Sequence, residues 1–317
     1  MGTPDFALPS LSVLHGMEAQ TGCQVVGVVT QPDRRAGRGK RLVAGPVKKL
    51  ALEHGLPVMQ PERLPRTNAP PAADEPDPLA SLRILSPDLI VVAAYGQILP
   101  PSVLEIPKYG CLNVHASLLP AYRGASPITA ALLDGLPETG VTIMLMDTGM
   151  DTGPVLTQAR LPVCADDTTA SLSDRLAARG AELLAETIPN WLAGNVAPVA
   201  QADLPGEPSV CRLVKKQDGR IDWTMSAARI ERMIRAYAPW PAAFTTWKGR
   251  NFKLWQGSVV SGSAPPGLVV EIDGRVAVGA GDALLALHEV QPAGKKPMTV
   301  AAFLNGAPEF VHSRLGD

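Results

Sequence analysis

The 317-residue chain contains no apolar run approaching the ~18 residues that a membrane-spanning helix needs, so an integral membrane protein is not expected. Its first residues, Met1-Gly2-Thr3-Pro4-Asp5, lack the basic-then-apolar pattern of a secretory signal, and the expected compartment is the cytoplasm. The four cysteines, Cys23, Cys111, Cys164 and Cys211, lie far apart and form no CxxC pair. That spacing argues against a disulfide framework and against a zinc site, so no metal is expected and the cysteines read as small apolar residues. There is little net charge, −1 at neutral pH, and no internal repeat.

With 46% hydrophobic and 19% charged residues, the chain has enough apolar surface for sizeable cores and is read as globular. Its length points to about two domains. The near-zero total conceals an asymmetry: residues 208–317 carry 14 Lys and Arg against 9 Asp and Glu, while residues 1–207 carry 15 against 21. A basic C-terminal part is compatible with a polyanionic partner, although many solvated faces are equally basic.

Apolar and helix-like stretches alternate through the first two-thirds. Cys23–Thr30 and Asp88–Ala94 read as buried parallel strands, with Cys111–His115 and Thr139–Met146 as further strands. Pro46–His54, Ile128–Asp134 and Thr169–Leu192 read as helices. The alternation implies an α/β fold with a doubly wound, mostly parallel sheet over residues 1–195. Residues 66–78 form a Pro/Ala/acidic surface insertion, and residues 196–209 read as a linker. In residues 210–317 a helical stretch, Ser226–Tyr237, precedes short alternating segments at Ala243–Trp247, Asn251–Trp255, Gly267–Ile272, Val276–Gly279 and Ala283–Val290. These predict a small β-barrel.

Ligands of open α/β sheets bind at the carboxyl ends of strands. There the segment Cys111–Pro127 places Asn113 and His115 two residues apart, on one face of a strand. The strand over Thr139–Met146 runs into a turn holding Asp147 and Asp151, either of which can meet that pair at the strand's carboxyl end. Asn, His and Asp together suit attack of an amine on a formyl carbonyl. The Asn amide donates to the developing oxyanion, the His carries a proton or positive charge, and the Asp orients the imidazole or takes a proton from the amine. No Ser or Cys sits in an activating motif, which favours direct transfer over a covalent enzyme intermediate. The spacing does not choose between Asp147 and Asp151, and Asp is common in such Gly-rich turns for purely conformational reasons.

The segment Asn113–Gly124 (NVHASLLPAYRG) closely resembles the signature of the 10-formyltetrahydrofolate-dependent formyltransferases. The resemblance implies a Rossmann-like catalytic domain in which Asn113, His115 and the Asp 38 residues after the Asn, Asp151, are catalytic. It further implies that Ser117, Leu118, Leu119 and Pro120 line the tetrahydrofolate site, and that the Val91–Leu99 segment, with Tyr95, Gln97, Ile98 and Leu99, receives the pterin. Three further features resemble the methionyl-tRNA formyltransferase family in particular: Met1–Ala7 (MGTPDFA), the Arg/Lys/Gly-rich loop Gln31–Leu42, and the C-terminal runs 218–223, 235–241 and 291–298. They imply an OB-like second domain, initiator methionyl-tRNA as partner, and tRNA contacts from Arg34, Arg35, Arg38, Lys40, Arg41, Lys215 and Lys216. A monomer is expected. Between Gln31 and Leu50 seven basic residues face one acid, Asp33, which suits phosphate contacts. Trp223, Tyr237, Trp240 and Trp255 are read as core or junction residues ahead of base-stacking ones.

Two departures stand out. Family members carry a buried first strand ahead of Gly-Thr-Pro, and this sequence begins at Met1 without one, so a start placed too late or a trimmed chain is expected. Val210–Gln217 also departs from the usual Ala-Thr-Lys-rich run. Among rivals, an amino-sugar-nucleotide formyltransferase needs no basic loop and a glycinamide ribonucleotide formyltransferase needs no second domain. A formyltetrahydrofolate hydrolase would replace the amine by water. A non-catalytic RNA-binding protein gives no reason for the Asn113/His115/Asp151 set.

Overall fold

The computed structural model describes residues 1–36, 41–64 and 77–316, so Arg38, Lys40 and residues 66–76 of the insertion lie outside the described residues. Two compact units emerge. The first comprises Met1–Gly124, Glu138–Pro162 and Ser173–Cys211; the second comprises Ala125–Pro137, Val163–Leu172 and Arg212–Asp317.

The first unit is built on strands β1 (Val28–Val29), β2 (Val58–Met59), β3 (Ile90–Val92), β4 (Cys111–His115), β5 (Glu138–Leu145) and β6 (Val155–Pro162). β1 pairs with β2, and β3 with β4, in parallel. β4–β5 and β5–β6 are antiparallel, with Leu112 opposite Leu145 and His115 opposite Thr142. The helices include α1 (Leu8–Gly16), α2 (Pro46–Glu53) and α3 (Pro78–Leu85). Val29, Leu79, Leu82, Ile90, Val92, Leu99 and Cys111 belong to one buried cluster. The antiparallel run of β5 corrects one expectation: its carboxyl end lies beside the start of β4, not beside Asn113 and His115. The Met146–Pro154 loop, not the strand end, therefore has to carry the carboxylate to the pair.

Only Val28–Val29 of the expected Cys23–Thr30 strand is regular, for a reason visible beside it. Met1 and Gly2 run between β1 and β3: the Gly2 amide donates to the Val29 carbonyl (3.0 Å) and the Ala93 amide to the Met1 carbonyl (2.9 Å). A Cβ at Gly2 would stand 2.6 Å from that of Ala7 and 2.9 Å from the Ala93 carbonyl oxygen, so the passage admits only glycine. Beyond Met1 the slot continues as a cavity of about 610 Å³ whose lining includes Val25, Val26, Leu82, Leu85, Leu89 and Ile188. Among the described residues no strand lies beside residues 23–27 on that side, and they join no ladder. The N-terminal ammonium is buried there, donates to the Val91 carbonyl at 2.5 Å, and burial lowers its pKa from 8.0 to about 6.

The second unit contains α4 (Pro127–Asp134), the first residues of α5 (Thr169–Leu192), and α6 (Ala227–Ala236). Ser226 caps α6, accepting from the Arg229 amide, and the buried Ala227, Ile230, Met233 and Ile234 share one helical face. Thr169 donates to the last-turn carbonyl of Ala236 (2.6 Å), and Arg229 donates to the Leu133 carbonyl. Strands β7 (Ala243–Trp247), β8 (Arg250–Val260), β9 (Val269–Ile272), β10 (Arg275–Gly279), β11 (Leu284–Pro292) and β12 (Met298–Thr299) form a single antiparallel sheet. Its order is β7-β8-β11-β10-β9, with β12 added on β11.

This sheet is open, which overturns the expectation of an OB-like barrel. Closure would require the edge strands β7 and β9 to pair, and each edge has another partner. The Ile221 amide donates to the Phe244 carbonyl of β7 (2.8 Å). The Val269 amide of β9 donates to the Ser313 carbonyl, and the His312 amide to the Val269 carbonyl, both at 2.9 Å. Segments from residues 220–221 and 312–314 thus occupy part of each edge, at Phe244 and at Val269. Trp223 is buried with its indole donating to Thr245 (3.1 Å), whereas Trp240 is 59% exposed. Among the described residues no helix is long and apolar enough to cross a membrane.

Candidate active site

β4 is buried on both faces, with Cys111, Leu112 and Val114 apolar, and it delivers Asn113 and His115 to one face near its carboxyl end. Asp151 meets them there. The Asn113 amide donates to one carboxylate oxygen (3.3 Å), and His115 Nδ1 lies 3.7 Å from the other, at ion-pair range. The Gly124 amide donates to that second oxygen at 2.7 Å. Only 16% of the Asp151 side chain and 6% of the His115 side chain are exposed, so these polar contacts act with little competition from water. Asp147, by contrast, is exposed and accepts from the Gly149 amide (3.0 Å) and the Thr152 hydroxyl (2.8 Å). It closes its own turn, a structural role for the Asp that spacing had left open.

His115 Nε2 lies 2.9 Å from the Tyr122 carbonyl. A carbonyl only accepts, so Nε2 carries a proton and Nδ1 is the nitrogen facing Asp151. Asp151 itself adopts φ = +55°, a left-handed conformation uncommon for a non-glycine residue. The second N–H of the Asn113 amide has no partner among the described residues.

The Ser117–Pro120 loop leaves β4 and is held from beneath. Thr142, fully buried on β5, donates to the Ser117 carbonyl (2.7 Å) and accepts from the Leu119 amide (3.1 Å). Gln158 on β6 donates to the Leu119 carbonyl (2.8 Å) and to Thr142 (3.0 Å). The Ser117 hydroxyl donates to the Ala121 carbonyl (2.7 Å), and the Leu119–Pro120 peptide is cis. Leu119 packs with Met144 and Val155, and Leu118 is the part-exposed member of the loop. Sequence reasoning missed Thr142 and Gln158. A polar Thr at a buried position within an apolar strand was the available signal.

In the second loop Tyr95 and Leu99 are core residues, and Gln97 accepts from the Leu64 amide (3.1 Å) and donates to the Glu62 carbonyl (3.2 Å), tying down residues 61–64. Ile98 is 74% exposed. The Tyr95 hydroxyl is buried without a partner among the described residues, and burial pushes its pKa up to about 12.

In the basic segment Arg34–Ala36 pairs antiparallel with Arg41–Val43. Arg34 is exposed, as are Leu42 and Val43, while Arg35 and Arg41 are described by backbone alone. At its base Asp33 is gripped by Lys48 and Gln60, both at 2.8 Å, and these hydrogen bonds lower its pKa. Lys48 is therefore a structural ion-pair partner, although it counted toward the basic cluster. Lys215 and Lys216 are exposed beside Asp218, which is paired with Arg212.

Comparisons with known proteins bear on this geometry. The formyl transferase family matches residues 5–188, and the formyl transferase C-terminal domain matches residues 213–308. A methionyl-tRNA formyltransferase from Trichlorobacter lovleyi is 45% identical, covering 97% of this chain and 93% of its own. One from Chloroflexus aggregans is 46% identical, covering 98% and 97%. Among solved structures, a sugar 3N-formyl transferase solved in the presence of dTDP and 5-N-formyl-THF aligns with a TM-score of 0.63 at 17% identity, covering 93% of this chain and 97% of that one. That last likeness speaks to the fold alone. With both formyl transferase segments present in order and methionyl-tRNA formyltransferases matched almost end to end, the chain belongs to the methionyl-tRNA formyltransferase family.

Proposed function

We propose that this chain moves the formyl group of 10-formyltetrahydrofolate onto the amino group of methionyl-initiator-tRNA, as a cytoplasmic monomer, with Asn113, His115 and Asp151 as its catalytic residues. The observation that carries this reading is the Asp151 carboxylate gathered by the Asn113 amide, the Gly124 amide and His115 at the end of β4.

When bound, 10-formyltetrahydrofolate supplies the electrophilic formyl carbon. The remaining work falls to the chain. The unpartnered Asn113 N–H donates to the formyl oxygen as negative charge gathers on it, an interaction worth about 3 kcal/mol in comparable sites. Asp151 accepts the proton released by the attacking amine and returns a proton to the folate nitrogen as its bond to the formyl carbon breaks, which frees tetrahydrofolate, while His115, braced by the Tyr122 carbonyl, holds its ring against the same carboxylate. Ser117, Leu118, Leu119 and Pro120, with Tyr95, Gln97, Ile98 and Leu99, form the folate side in this reading. The fit is supported by the uncovered apolar side chain of Ile98, against which a flat heterocycle can lie.

Arg34, Arg35, Arg38, Lys40 and Arg41, with Lys215 and Lys216, make the tRNA contacts in this reading. Phosphate contacts of this kind are additive in salt dependence. Arg34→Ala is expected to raise the KM for tRNA several-fold, to reduce the slope of log affinity against log salt by about 1, and to leave folate binding unchanged. Fluorescence titrations across a salt series, run in parallel for both ligands, check this; equal loss of folate and tRNA binding refutes the assignment.

The function itself is tested by incubation with 10-formyltetrahydrofolate and charged tRNA, followed by deacylation. Formyl-methionine from initiator but not elongator methionyl-tRNA is the expected result. No product with folate bound contradicts the acceptor and favours an amino sugar nucleotide.

A further inference from the structure

Gln201 lies in the segment that sequence composition marks only as a linker, yet just 4% of it is exposed. Its carboxamide is fully used. Nε2 donates to the Asp151 carbonyl and to the Gly153 carbonyl, each at 2.8 Å, and Oε1 accepts from Arg123 Nε at 2.9 Å. The first two bonds hold the backbone on which Asp151 stands in its left-handed conformation. The third holds the 122–124 segment, whose Tyr122 carbonyl receives His115 and whose Gly124 amide grips the Asp151 carboxylate. One side chain therefore joins the loop that carries the carboxylate to the segment that braces both of its neighbours. No other described side chain donates to the Asp151 carbonyl.

We propose that Gln201 is a positioning residue for formyl transfer, fixing Asp151 relative to His115 and Gly124; this rests on the catalytic roles assigned above. A carboxamide is the group the place requires, since two carbonyls need two donors while Arg123 needs an acceptor, and no other side chain offers both in one planar head. The Ser117–Pro120 loop is held by Thr142 and Gln158 instead, so the folate side does not depend on Gln201. Displacement of a reacting group by an ångström costs roughly 100-fold in rate.

The test uses the full chain with Gln201→Leu, close in size and apolar, and Gln201→Glu, which keeps the acceptor for Arg123 and loses both donors. Each is expected to lower kcat for formylation of methionyl-tRNA roughly 10- to 100-fold, with the KM for 10-formyltetrahydrofolate changed less than two-fold. Amide exchange by NMR is expected to show lost protection at Gly124 with protection of the β4–β5 ladder retained. A kcat within two-fold of the unaltered chain, or retained protection of Gly124 in both variants, overturns the proposal. Should the unaltered chain fail to formylate methionyl-tRNA, the acceptor assignment falls, and Gly124 protection still decides whether Gln201 holds the carboxylate.

Discussion

Asn113→Ala is expected to lower kcat for formyl transfer about 10²- to 10³-fold while leaving the affinities for folate and tRNA within two-fold. The split follows from geometry. One N–H of the Asn113 amide is spent on Asp151, and the other has no partner among the described residues, so its full value appears only when an oxygen beside it becomes negative. Removing it takes away an interaction present in the transition state and nearly absent from the ground state. Asn113→Asp is expected to be at least as damaging, because it sets a second carboxylate against Asp151. A kcat loss below five-fold in Asn113→Ala, or a loss confined to KM, would remove Asn113 from the oxyanion role.

The second large effect concerns stability. Placing four apolar, β-branched residues ahead of Met1 is expected to raise Tm by about 5–10 °C at pH 6. Such a strand would continue the line of Met1 and Gly2 into the cavity of about 610 Å³ between β1 and β3 and offer partners to residues 23–27 and 89–91. It also converts a buried ammonium into an amide. The amine has a folded-state pKa near 6 against 8.0 unfolded, so the unfolded chain binds more protons between those values and stability falls as pH drops through that window. A shift of this size corresponds to ~3 kcal/mol, fully expressed below pH 6 and absent above pH 8. Urea unfolding from pH 5 to 9 should show that slope in the chain starting at Met1 and lose it in the extended chain. Identical slopes and identical Tm in the two chains would mean that the slot does not accept a strand.

The parts of the fold that could be read from the sequence are those whose signals are local. Cys111–His115 and Thr169–Leu192 occupy the predicted ranges because an apolar run between turn residues and a helical repeat of Leu and Ala are self-contained patterns. β6 was not foreseen: Gln158 and Arg160 interrupt its apolar residues, and it is specified chiefly by antiparallel pairing with β5. Short alternating strands in the second unit were recognised, but whether they close depends on what covers β7 and β9, and those covers come from residues 220–221 and 312–314, distant in sequence. At the site, period-two alternation put Asn113 and His115 on one face of their strand, and the family resemblance supplied the roles proposed for them. Asp151 needed the family resemblance, because Asp147 sits in the same turn and only the folded loop separates their roles. Gln201 gave no signal, being a polar residue among Pro, Ala and acids.

The central claim is that the formyl group passes directly to the methionyl amine at Asn113, His115 and Asp151. Its most direct test is a rapid-quench single turnover with 10-formyltetrahydrofolate labelled in the formyl group, at saturating methionyl-initiator-tRNA. The account predicts that label leaves the folate and reaches formyl-methionine at one common rate, with none on the protein, and that Asn113→Ala and Asp151→Asn slow that step with both substrates still bound. Label trapped on the protein ahead of product, or an unchanged rate in both variants, would contradict it.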